Sequence, residues 1–223
     1  MPSRFFCYPL FFVQATAGMR IAEQAHRAES AELWQKLNRS LTEKVGKTVK
    51  VDTRTITGYE EGLYAWLAVR HEKKQDNFGI VEMGGASSQI TFPCAKCREK
   101  DDSVRTVMLG GKPFSIYSYS YLGLGQDEAS KTLGLPNACA YGVGSQKPGW
   151  QMNQCAEQIS LKTTQGLLDP YNYHDGQRGT YHALPKERSD VASWFLTGAF
   201  NYMNSCDVGI CCHSKGDCYT QTT

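Results

Sequence analysis

The chain has 223 residues, with 24 Lys+Arg against 22 Asp+Glu and a formal net charge of +2. That balance gives no basic face broad enough to point to nucleic acid. A hydrophobic share of 41% with 21% charged residues excludes a disordered chain, and no apolar run reaches the ~18 residues of a membrane span.

The first residues admit two readings. Arg4, the apolar run Phe5 to Val13 and Ala15-Thr16-Ala17 have the outline of a signal peptide. Alternatively, Leu10 to Val13 is a buried strand entering a turn and then a helix. From Ile21 to Val45, Leu33, Trp34, Leu37, Leu41 and Val45 recur at helical spacing, and Gly46 is a stop. Thr48 to Val51 alternates as a short strand does. A second helix opens near Glu60 and Glu61, where acidic residues suit the helix dipole, and buries Leu63, Trp66 and Leu67. Residues 71–77 read as a polar surface loop.

Phe78 to Met83 reads as a buried strand carrying Glu82 near its end, Gly84 to Ser88 as a tight turn, and Gln89 to Phe92 as the returning strand. After the charged stretch 96–105, two more strands, Thr106 to Leu109 and Phe114 to Tyr121, flank the turn Gly110-Gly111. Helices are predicted at 126–133, 150–163 and 189–203, the last capped by Ser189, with a long loop over 166–188.

Of nine cysteines, all but Cys7 cluster: Cys94 and Cys97, Cys139 and Cys155, and then Cys206, Cys211, Cys212 and Cys218. The pattern suggests local clips in an oxidising compartment: secreted, or on the lumenal or extracellular side of a membrane. The competing reading is zinc, from Cys94-Ala-Lys-Cys97 with Cys211-Cys212-His213, although the second group does not have a common zinc spacing.

Three segments carry chemistry. Ala15 to Arg20 places small residues between a strand and a helix, where helix N–H groups suit a phosphate. Gly84-Gly85-Ala86-Ser87-Ser88 lets backbone amides approach an anion. Gly58-Tyr59-Glu60-Glu61-Gly62-Leu63-Tyr64-Ala65-Trp66 puts a carboxylate at a helix start. Each alone is commonly a turn or a cap.

Together, these three and Ser120 to Gly125 with Glu128-Ala129 resemble, in order and spacing, the apyrases. That family of nucleoside triphosphate diphosphohydrolases includes the ecto-apyrases and the Golgi guanosine diphosphatases. The resemblance runs from about Pro9 to Tyr202. It implies an α/β fold: RNase-H-like lobes of the actin/sugar-kinase/heat-shock ATPase superfamily, the first lobe incomplete. The division expected is 1–75 as the end of lobe one with a crossing helix, 76–205 as most of lobe two, and 206–223 as a Cys-rich tail.

By the same resemblance, Glu61 is the base that activates a water, and Ser87 and Gln89 position that water. Glu82, where the family usually has Asp, holds Ca²⁺ or Mg²⁺ through water. Thr16 and Ala17 contact phosphate from lobe one, and Gly84, Gly85 and Ala86 contact it from lobe two. The implied activity is metal-dependent hydrolysis of nucleoside tri- and diphosphates to the monophosphate, with the nucleotide as partner.

The sequence also departs from the family. It has no Asp-x-Gly-Ser-Ser/Thr phosphate loop, it ends soon after Tyr202, and Arg70 stands where Asn is frequent. The chain therefore reads as a central fragment with impaired turnover, Thr16 belongs to a strand–turn–helix rather than a signal peptide, and the first lobe leaves apolar surface uncovered. Two other functions are an inactive nucleotide-binding or interaction protein on the same fold and an exopolyphosphatase-like hydrolase.

Overall fold

The computed structural model describes residues 9–46, 48–97, 103–129, 131, 134, 139, 151–164, 171, 173–174, 177–178, 183–201, 210–212 and 218–220. The chain divides into two compact units, Met1–Thr57 and Gly58–Thr223.

In the first unit, β1 (Leu10–Ala15) lies parallel to β2 (Lys50–Thr55), joined through α1 (Ala17–Ala25) and α2 (Arg27–Val45). The predicted single helix from Ile21 is broken at His26, whose φ of −139° and ψ of 61° leave the helical region. Much of the seam between α2 and β2 is polar. Trp34 Nε1 donates to Glu23 Oε1 at 3.1 Å and Thr55 Oγ1 at 3.0 Å, and Asn38 Nδ2 donates to the Val51 carbonyl at 3.3 Å. Leu33, expected on the buried face, is exposed. So are Leu10, Phe11 and Phe12: read on its own β1 looks like a buried strand, but among the described residues it pairs only with β2, and it leaves uncovered the apolar surface expected of the first lobe.

The second unit is built on a five-stranded mixed sheet. Its strands are β3 (Phe78–Met83), β4 (Ser87–Pro93), β5 (Val104–Leu109), β6 (Lys112–Leu122) and β9 (Ser193–Gly198), in the order β5-β6-β4-β3-β9. All neighbours are antiparallel except β9, which runs parallel to β3. Antiparallel strands β3, β4 and β6 side by side, with β5 at the edge and β9 parallel to β3, agree with the expected RNase-H-like lobe. α3 (Gly58–Lys73) packs on β6, β4 and β3. Elsewhere in the unit lie α4 (Met152–Thr164), which overlaps the helix predicted at 150–163 and runs one residue past it, and the short pairs β7 (Tyr173–His174) with β8 (Gln177–Arg178) and β10 (Ile210–Cys212) with β11 (Cys218–Thr220). Of the helix predicted over 126–133, the described residues 126–128 form a turn and only 129 and 131 are helical, while about half of the loop predicted over 166–188 lies outside the described residues.

β6 shows how the sequence builds both faces. Side chains alternate across a strand, so Tyr117, Tyr119 and Tyr121 point one way and Ile116, Ser118 and Ser120 the other. The tyrosine face joins Phe92, Cys94, Val104 and Trp194 in one core. The serine face lies under α3. Along that face Trp66, Phe78, Ile80 and Ile116 form a second core, in which Trp66 stacks on Phe78 at 5.2 Å and donates its Nε1–H to the Phe78 carbonyl at 2.9 Å.

The helix predicted at 189–203 does not form over the described residues 189–201. A 3₁₀ turn at Lys186–Asp190 leads into β9, and a second turn, Ala199–Asn201, follows. Ser189 Oγ donates to the Lys186 carbonyl at 3.0 Å instead of capping a helix. Over six residues, Ser-Trp-Phe-Leu-Thr-Gly carries no period that separates a strand with two apolar faces from a helix.

Cys94–Cys97 and Cys139–Cys155 are disulfides. The first bond removes the zinc half-site at Cys94 and Cys97, because a sulfur in a disulfide is not a thiolate ligand. Between them Lys96 pairs with Asp190 at 2.9 Å, and that hydrogen bond first, then the Asp190 charge, holds the lysine above its ordinary range. Cys206 and His213 lie outside the described residues.

Candidate active site

The site residues of the second unit gather where β3 and β9 end. Four strands meet there in register: Thr197 on β9 pairs with Glu82 on β3, Glu82 with Gln89 on β4, and Gln89 with Ser120 on β6. Register partners share a face, so these side chains form one polar row. The row lies on the same face as the Trp66 core, one step beyond Ile80.

Glu61 reaches this row from the first turn of α3. Two glycines make that possible. A Cβ at Gly58 would overlap Ser120, and a Cβ at Gly62 would overlap the hydroxyls of Ser118 and Thr91. The spacing of four puts both glycines on one helix face, and the strands offer only small hydroxyl side chains beneath it. The helix backbone therefore sits against the sheet, and Glu61, one residue before Gly62, is carried to Gln89.

Gln89 is 1% exposed and Ser87 likewise. Gln89 Nε2 lies 2.9 Å from Glu61 Oε2, 2.6 Å from Ser87 Oγ and 2.8 Å from Ser120 Oγ. An ionised carboxylate only accepts, which fixes the amide with its NH₂ toward Glu61. Two N–H groups face three oxygens, so a serine has to turn its own proton elsewhere. Ser87 Oγ, 3.5 Å from Glu61 Oε2, donates to that carboxylate. The carboxylate is half-buried and held from the sheet by both groups.

Beside it runs the turn Gly84–Ala86. The Gly84 amide closes the turn onto the Ser87 carbonyl at 2.9 Å. The three carbonyls of Gly84, Gly85 and Ala86 accept from Gln126, Asp127 and Gly123 at 3.0, 2.8 and 2.7 Å. With those oxygens engaged by 123–127, an anion approaching the turn meets fewer exposed acceptors.

Oxygen atoms also dominate the Glu82 end of the row. Glu82 Oε2 is buried, and Gln89 Oε1 and Thr197 Oγ1, on either side of it in register, are buried without a hydrogen-bond partner. An all-oxygen set of this kind suits a hard divalent cation or its water shell. Thr16 and Ala17 belong to the first unit. Ala17 is buried at the start of α1, and the Thr16 carbonyl accepts from the Met19 and Arg20 amides at 3.1 Å each.

Two members of the row carry no role in the sequence reading. Ser120 stood in a recognised motif, and its alternation with Ile116 and Ser118 gave its face. Thr197 was hidden by the helix reading of 189–203.

The RNase-H-like sheet, with a carboxylate-and-amide cluster beside a glycine turn at its end, is of the expected fold class. A model of the GDA1/CD39 (nucleoside phosphatase) family matches residues 3–173, and the chain belongs to that family. It is similar to probable apyrase 4 of Arabidopsis thaliana, 33% identical over 141 residues covering 59% of this chain and 27% of the relative. It is also similar to ectonucleoside triphosphate diphosphohydrolase 8 of Gallus gallus, 31% identical over 142 residues covering 55% and 28%. A solved structure of nucleoside triphosphate hydrolases from Neospora caninum is 27% identical, covers 60% of this chain and 28% of its own, and superposes with a TM-score of 0.44. The chain thus spans about a quarter of the length of these curated relatives.

Proposed function

We propose that the chain acts on nucleoside tri- and diphosphates, splitting the terminal phosphate by in-line attack of water with Ca²⁺ or Mg²⁺. The observation that carries this reading is the Glu61–Gln89 contact of 2.9 Å at the end of the sheet that also holds the Gly84–Ala86 turn.

Glu61 accepts the proton of the attacking water. Gln89 and Ser87 hold Glu61 and orient that water, and the amides of the Gly84–Ala86 turn face phosphate oxygens. Phosphoryl transfer needs positioning and charge neutralisation more than covalent chemistry, and the row contains no cysteine or histidine nucleophile. Glu82 holds the cation, whose buried oxygen surroundings fit it; when bound, it neutralises charge on the phosphate oxygens. The assignment of Thr16 and Ala17 to phosphate rests on the resemblance, with the N-terminal amides of α1 suited to an anion. The sequence has no Asp-x-Gly-Ser-Ser/Thr stretch to add amide donors, so turnover by these 223 residues is slow. The disulfides support a secreted or lumenal setting.

The test is phosphate release from ATP and ADP by the full chain with Ca²⁺ or Mg²⁺, repeated with a chelator. Release that stops with chelator is expected. Release indifferent to chelator removes the cation from the reading, and release from polyphosphate but not from ATP replaces the substrate.

A further inference from the structure

The geometry points to Thr197 as a positioning residue for the divalent cation, its hydroxyl holding the water shell on the β9 side of Glu82. This rests on the reading above that Glu82 faces the cation.

Three observations converge on β9. Thr197 is the register partner of Glu82, so both side chains leave the same face on neighbouring strands, which lie about 4.8 Å apart. Thr197 Oγ1 is buried and makes no hydrogen bond within the protein. A hydroxyl in that condition is costly unless something outside the chain satisfies it. Gln89 Oε1, on the other side of Glu82, is in the same condition. All these atoms are oxygens, as a hard cation or its coordinated waters require.

The third observation is the next residue. Gly198 has a φ of +70°, and a Cβ there would lie 2.8 Å from Glu82 Oε1 and would overlap the Met83 carbonyl. Glu82 is one methylene longer than the Asp usual at this place in apyrases. The missing side chain at Gly198 gives the longer carboxylate its room, and Thr197 then borders it. β9 thus supplies both the space for Glu82 and a hydroxyl facing the same end of the row.

The experiment uses Mn²⁺ binding to the full chain without nucleotide, followed by electron paramagnetic resonance, with melting of the metal-free and metal-bound protein alongside. The variants are Thr197→Val, which has nearly the same shape without the hydroxyl, Thr197→Ser, which keeps it, and Glu82→Gln. Thr197→Val should bind Mn²⁺ roughly 10-fold more weakly, the loss typical of a group that orients a metal's shell. Thr197→Ser should retain wild-type affinity. Metal-free Thr197→Val should melt at or above the wild type, because a buried hydroxyl without a partner has been replaced by a methyl.

Unchanged affinity in Thr197→Val with loss in Glu82→Gln overturns the Thr197 role and leaves the Glu82 reading standing. A lower melting temperature for metal-free Thr197→Val shows a structural role and overturns it too. No Mn²⁺ binding by the wild type, or binding indifferent to Glu82→Gln, overturns the Glu82 reading and the Thr197 role together.

Discussion

Gln89 Nε2 stands 2.9 Å from Glu61 Oε2, joining a sheet residue to a residue in the first turn of α3. The amide is buried and the carboxylate half-buried, so the bond forms where a charge is expensive to leave unpaired. It depends on how closely the helix approaches the strands, and that approach depends on Gly58 and Gly62.

Gly62→Ala tests the approach. The added methyl overlaps the hydroxyls of Ser118 and Thr91, which are 2% and 0% exposed and hydrogen-bonded to each other at 2.8 Å. A loss of about 1–3 kcal/mol is expected, the cost of overpacking a closed contact. Activity should fall with it, because Glu61 moves with the helix. Gly58→Ala should lose stability similarly, and Ser120→Gly in the same chain should restore part of it by removing the overlapped atoms. Denaturant unfolding of these variants, with Ser120→Gly alone as the fourth, checks this. Additive losses in the double variant would show that Ser120 is not the obstacle.

Those glycines were legible as letters but not as packing. The motif around Glu61 named the carboxylate, and the alternation of β6 gave the serine face; that the two fit against each other is a tertiary fact no local period encodes. The strands from Phe78 to Tyr121 read correctly because turns at Gly84–Ala86 and Gly110-Gly111 punctuate them. β9 did not, because six mostly apolar residues in a parallel strand look like a buried helix turn. The break at His26 has no Gly or Pro to mark it in the sequence. The exposure of Leu33 follows from a polar seam, in which Trp34 and Asn38 rather than Leu33 meet β2 and its neighbours.

Gln89→Glu sets two carboxylates beside each other at the same place. Like charges this close disfavour double ionisation, so the pair shares a proton and the later ionisation moves to higher pH. If Glu61 is the base, the acidic limb of the kcat profile should shift upward and the rate at neutral pH should drop. A profile unchanged in shape would mean that the Glu61 charge does not govern turnover.

The two disulfides are expected to survive in oxidised protein. Peptide mapping after alkylation under denaturing, non-reducing conditions should find Cys94 linked to Cys97 and Cys139 to Cys155, with none of the four alkylated. Cys139–Cys155 spans a sequence separation of 16, a loop length for which chain-entropy arguments give about 3 kcal/mol. Cys139→Ser with Cys155→Ser should destabilise by up to that amount. Alkylation of all four cysteines without reductant would remove the support for an oxidising compartment.

Leu10, Phe11 and Phe12 are 55%, 42% and 54% exposed on a strand with one described partner. An apolar strand with an open edge invites association. Light scattering should show self-association that rises with concentration and falls in Phe12→Lys. A clean monomer at high concentration would show that this edge is covered in solution.

The role of Glu61 is tested by single-turnover phosphate release from ATP by the full chain with Ca²⁺ or Mg²⁺, comparing wild type with Glu61→Gln. Gln keeps the shape and can still accept from the Gln89 amide, so folding and nucleotide affinity should be preserved. Losing a general base is expected to slow release by ~10²–10⁴. Release by Glu61→Gln at the wild-type rate would contradict the assignment and reduce Glu61 to a carboxylate that stabilises the start of α3.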